Sequence, residues 1–127
     1  MEAGKALGAS LEIIKMIYET AETYRKLERL NQTVLNEIAL LITLQDQIKN
    51  CRRMENNTII DNYLIDIYKR LEKFKNLIDE ADNGNFFKKL SHTKKIKKIS
   101  REIAEQIKKL KFLLDVKKEM LQSSKLD

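Results

Sequence analysis

Apolar residues recur three or four positions apart along almost the whole chain, and the gaps between these stripes set the expected elements. Leu7, Leu11, Ile14, Ile17 or Tyr18, Ala21 and Tyr24 predict a first helix, starting near Glu2 or, with Ser10 as its N-cap, near Ser10. No strong breaker follows before Asn50. An uninterrupted helix of roughly 40 residues would run about 60 Å, more than a compact domain of this size can flank. A turn is therefore placed near residues 20–25, with one long helix as the competing reading. The second helix runs to about Asn50 on Leu27, Leu30, Val34, Ile38, Leu41, Leu44 or Gln45, and Ile48. Its stretch IALLITL, residues 38–44, is apolar nearly all round, which predicts burial on more than one side.

The polar run NCRRMENNT (residues 50–58) reads as a turn with Thr58 as a cap, and a third helix follows over residues 59–81. Its stripe is Ile60, Tyr63 or Leu64, Ile67, Leu71, Phe74, Leu77 or Ile78, and Ala81; DEADNGN (residues 79–85) ends it. Phe86, Phe87 and Leu90 form a short helical turn, after which Ser91, His92 and Thr93 loosen the pattern. The fourth helix begins by Lys95 and carries Ile96, Ile99, Ile103, Ile107, Leu110, Leu114 and Leu121, flanked by Ala104, Phe112, Leu113, Val116 and Met120. The expected fold is all-α: an antiparallel up-down-up-down four-helix bundle over residues 1–121, with a short extra helical turn before the fourth helix. Residues 122–127 are expected to form a tail joining further domains of a longer parent protein. Tyr18, Tyr24, Tyr63, Phe74 and Phe112 are assigned to the core. Phe86 and Phe87 either seal the bundle or contact a partner.

Composition agrees with a helical domain. The 127 residues include no proline and three glycines, and 43% are hydrophobic. The single cysteine, Cys51, excludes an internal disulfide framework and a cysteine-based zinc site. No uncharged apolar run is long enough to span a bilayer, and no signal-peptide core is visible. A cytoplasmic location is expected, with conditional recruitment to the plasma membrane.

Catalytic chemistry is not apparent. His92 is the sole histidine and lies among lysines; no HExxH, phosphate-cradling glycine loop or nucleophile elbow occurs. The pairs Glu19/Glu22 and Glu102/Glu105 lack the Glu-x-x-His pattern of di-iron bundles and read as solvated helix surface. The expectation is a non-enzyme with no catalytic residues, cofactor or metal.

Charge distribution changes the picture. Residues 88–118 carry twelve Lys/Arg and three acids, a local charge of +9 against +6 for the whole chain. Helical spacing puts Lys94, Lys97, Lys98 and Arg101 opposite Ile96, Ile99 and Ile103. Such a surface attracts anionic lipid headgroups, or serves only as a well-solvated face of the bundle. Phosphates of nucleic acid would also fit, but no base-reading element accompanies the lysines, so nucleic acid is disfavoured.

The stretches LERLNQTVLNEIALLITLQDQ (residues 27–47), IYKRLEKFKNLIDEA (residues 67–81) and KKISREIAEQIKKLKFLLDV (residues 97–116) give the chain a familiar pattern. It resembles the N-terminal four-helix, HeLo-like domain of mixed-lineage-kinase-domain-like proteins, related to bundles of plant coiled-coil immune receptors and fungal death effectors. The resemblance implies a cell-death effector or signalling domain that self-associates and binds or permeabilises anionic phospholipid membranes, regulated by a linked kinase or pseudokinase domain. On that reading Arg25, Lys26 and Arg29 match the basic start of the family's second helix, and Lys97 and Arg101 match its last bundle helix. Lys88 and Lys89 lie near its basic loop, while Lys94, Lys95 and Lys98 are this chain's own addition. Phe86 and Phe87 are the hydrophobic contact candidates. The alternative is a protein-interaction or oligomerisation module regulating a linked kinase or nucleotide-binding domain, without lipid binding.

Overall fold

The computed structural model describes residues 2–23, 32–54, 58–83 and 86–126, with side chains described over residues 2–18, 33–53, 58–80 and 93–120. The described residues form five helices, not the four expected: α1 (Ala3–Thr23), α2 (Gln32–Thr43), α3 (Gln45–Met54), α4 (Thr58–Asn83) and α5 (Phe86–Leu126). The four-helix plan is corrected at two places, and the start of the first helix is decided between the two expected.

The first is Leu44. It interrupts what the apolar stripe reads as one second helix, although backbone bonds bridge the break: Leu44 N–H donates to the Leu40 carbonyl (3.1 Å) and Ile48 N–H to that of Leu44 (2.9 Å). Thr43 Oγ1 donates to the same Leu40 carbonyl at 2.8 Å. A hydroxyl competing for a backbone acceptor bends helices, which accounts for a break inside an apolar run.

The second correction concerns the expected separate turn before the last helix. Phe86, Phe87 and Leu90 instead open α5 itself, a single helix of 41 residues, about 62 Å long. Residues 86–126 contain no glycine or proline, and Ser91, His92 and Thr93 each cost under about 0.7 kcal/mol in a helix, too little to end one. At the N-terminus the earlier of the two expected starts, near Glu2, is the one found. Ser10 is no N-cap: α1 starts at Ala3, and Ser10 is buried inside it with its Oγ unpartnered.

A continuous first helix running to Asn50 is ruled out by one contact. Tyr18 Oη donates to the Leu35 carbonyl at 2.7 Å, whereas seventeen residues of unbroken helix would separate these groups by about 25 Å. The chain reverses between α1 and α2.

One core runs through all five helices. Ala3, Leu7, Ile13, Ile14 and Ile17 of α1 meet Leu35, Ile38 and Leu41 of α2, Ile48 and Cys51 of α3, and Ile60, Leu64, Ile67, Leu71, Phe74 and Ile78 of α4. The chain closes on them with Ile96, Ile99, Ile103, Ile107, Leu110 and Leu114 of α5. Helix α5 packs against α4, α2 and α3, while α1 packs against α4 and, less extensively, α2. Glu37 and Gln47 meet Lys108 and Asp115 in ascending order, so α2 and α3 run in the same direction as α5.

Two core assignments are overturned. Phe112 is 71% exposed rather than buried. Within residues 38–44 the burial is not all round: Ile42 is exposed because one side of α2 faces solvent. Phe74 is fully buried as expected, Tyr18 and Tyr63 are half-buried, and Tyr24 lies outside the described residues.

Candidate functional site

The inward stripe of α5 is fixed by the core, so its remaining faces are decided by the 100° step of the helix. Lys94, Lys95, Lys97, Lys98 and Arg101 are all exposed, while Ile96, Ile99, Ser100 and Ile103 between them are buried. Ser100 stays inside at no polar cost because its Oγ donates to the Lys97 carbonyl at 2.9 Å. Residues 94–101 contain five basic side chains and no acid, and none of the five is ion-paired among the described residues. Lys94, Lys98 and Arg101 stand on the outermost line of the helix, with Lys95 and Lys97 on its two flanks.

Further along, Lys108 and Lys109 are engaged. Lys108 Nζ pairs with Glu37 of α2 at 2.8 Å, and Lys109 Nζ with Glu105 one turn back at 3.5 Å. Gln47 of α3 donates to Asp115 at 3.3 Å. On the α4 side Arg70 bridges Asp66 (2.9 Å) and Glu102 of α5 (2.7 Å), and the Asp66 hydrogen bond, followed by the charges of both carboxylates, holds its guanidinium above the ordinary arginine range. Arg52 of α3 pairs with Asp61 of α4 at 2.8 Å. These contacts pin α5 and its neighbours, while the cations of residues 94–101 have no ion pair among the described residues.

The second half of the outer face is apolar. Phe112, Val116 and Met120 are exposed, Phe112 and Met120 by 71% and 67%. In the sequence they flank the core stripe and, like it, recur every four residues. The signal that separates them is phase: Phe112 precedes Leu114 by two residues, about 200° around the helix, so both cannot face the same core.

Of the other candidates, Lys88, Lys89, Phe86 and Phe87 lie within α5, but their side chains fall outside the described residues, as do Arg25, Lys26 and Arg29 altogether. His92 is likewise in α5 without a described side chain. Cys51 is buried in the core. Tyr68 sits on α4 beside Glu72, whose hydrogen bond, with some desolvation, raises its phenol above the ordinary value. No group of His, Cys, Asp and Glu among the described residues could hold a metal ion. No described helix is long and apolar enough to cross a membrane.

Comparison with protein-family models, with curated proteins and with solved structures finds no match to this chain. The five-helix order overturns the four-helix plan that the HeLo-like resemblance implies. The HeLo-like, mixed-lineage identity, and the cell-death and membrane-binding roles that came with it, have no support from fold or comparison.

Proposed function

We propose that this chain is a non-catalytic docking module that binds an acidic protein through the basic face of α5. The observation that carries this reading is the set Lys94, Lys95, Lys97, Lys98 and Arg101, exposed and without an ion pair among the described residues, on a helix where Lys108 and Lys109 further along are paired. One exposed ion pair contributes under about 1 kcal/mol. Five like charges within two turns act instead through their summed field, which steers an acidic partner and selects against basic ones. An acidic protein fits better than an anionic bilayer because Asp115 and Glu119 are exposed on the same helix. A folded partner can place neutral or basic groups opposite them, whereas a continuous plane of headgroups cannot.

The test is binding of a fluorescent polyglutamate peptide at 150 mM salt, roughly where the Debye length is 8 Å. Joint reversal of Lys94, Lys98 and Arg101 to Glu should weaken binding by about tenfold or more and flatten its salt dependence. Reversal of three exposed lysines elsewhere, Lys5, Lys69 and Lys73, should have little effect. Equal losses from the two sets would reduce the effect to net charge and remove the site. Preferential recruitment to phosphatidylserine vesicles over the peptide would assign the patch to lipid.

A further inference from the structure

The basic patch and the apolar triplet are two halves of one line. Lys94, Lys98, Arg101, Glu105, Lys109, Phe112, Val116 and Met120 follow one another at intervals of four, three, four, four, three, four and four residues. Every one of these eight side chains is exposed. The mean spacing of about 3.7 residues is close to the 3.6 of the helix, so the ridge runs almost straight along α5 for about 39 Å. Its first half is cationic, its centre is an internal Lys109–Glu105 pair, and its second half is hydrophobic. Exposed apolar side chains at this spacing are what a second helix buries when it packs along the first.

We propose that this ridge is a docking site for an amphipathic helix of a partner protein, acidic where it lies over residues 94–101 and apolar where it lies over residues 112–120. The proposal rests on the acidic-partner reading above and adds to it the partner's secondary structure, its polarity along the axis, and three new contact residues. Charge complementarity selects the occupant. A second copy of this chain fits poorly: among the described residues its other exposed large apolar side chains, Met16, Ile42 and Ile59, stand on three different helices and form no matching acidic–apolar line. An anionic bilayer would meet Asp115 and Glu119 beside the apolar triplet. A helix can match each of these positions with its own residue.

The experiment displays a library of 26-residue helical peptides, varied along one face, and selects binders to the full chain at 150 mM salt. Enriched peptides should carry Asp or Glu in one half and Leu, Ile, Met or Phe at three- and four-residue spacing in the other. Phe112→Ser with Met120→Ser should weaken the enriched peptides by about tenfold or more, with the circular dichroism and thermal midpoint of the protein unchanged because both side chains are exposed. Lys94→Glu with Lys98→Glu should weaken them and reduce the salt dependence. Acidic peptides that bind the Phe112/Met120 variant undiminished would overturn the helix-docking ridge and leave the acidic-partner reading standing. Apolar peptides indifferent to Lys94 and Lys98 would overturn that reading. Dimerisation abolished by Phe112→Ser, tighter association of the chain with anionic vesicles than with any peptide, or no enrichment at all would each overturn the proposal.

Discussion

Gly8 shows how one residue can be out of keeping with its place. It lies well inside α1, is exposed, and a Cβ built on it meets nothing within 4 Å. Glycine in a helix interior is about 1 kcal/mol worse than alanine, largely through unfolded-state entropy. Gly8→Ala should therefore stabilise the protein by about that amount and raise its midpoint by about 4 °C in thermal unfolding. Gly4 is different: a Cβ there would lie 3.2 Å from Nη1 of Arg52, whose Nε holds Asp61. At this scale the sequence was an unequal guide. Phe74 could be placed in the core from its stripe alone, because only one apolar line runs along α4. Phe112 could not, because residues 110–120 carry two apolar lines, and only the packing of Leu110 and Leu114 against the other helices decides which is inside.

Among elements, the hand-over from α1 to α2 hangs on a side chain. Burial pushes the Tyr18 phenol above its ordinary value near 10, and the hydroxyl is spent on the Leu35 carbonyl. The unfolded chain then releases this proton near pH 10, before the folded chain does. The stabilisation is complete below that pH and declines as pH rises toward the folded value. Tyr18→Phe should cost about 1 kcal/mol at neutral pH for the lost hydrogen bond. Between pH 9 and 11 it should lose stability less steeply than the parent in denaturant titrations. The position of α4 and the inward stripe of the last helix were legible from periodicity because long amphipathic stripes leave little choice. The break at Leu44 was not, since it comes from a threonine hydroxyl seeking a carbonyl rather than from a residue that ends helices. Nor was the unity of α5, where three weak helix formers looked like punctuation.

For the molecule as a whole, a run of five cations with no ion pair among the described residues opposes folding through mutual repulsion. Lys98 stands between Lys94, Lys95 and Arg101 on the outer turns of α5. Lys98→Glu should raise stability by a few tenths of a kcal/mol at low ionic strength, and the gain should vanish in high salt. The same substitution should weaken polyglutamate binding. A variant that is both more stable and less able to bind would be the signature of a surface kept for recognition at the expense of stability. The direction of the charge asymmetry was fully legible in the chain. Its compensation was not, because Glu37 and Lys108 are far apart in sequence and meet only when α2 lies along α5.

The length of α5 has a mechanical consequence. At about 62 Å it is much longer than α4, which spans about 39 Å, so its strongest packing partner cannot run beside all of it. One rigid rod thus carries the core residues Ile103, Ile107 and Leu114 on one side and Phe112, Val116 and Met120 on the other. No flexible joint separates the two sets of contacts. A load or torque taken up on the outer side is delivered to the interior within a single turn, so engagement of a ligand there should be read out as slower amide exchange deep in the protein.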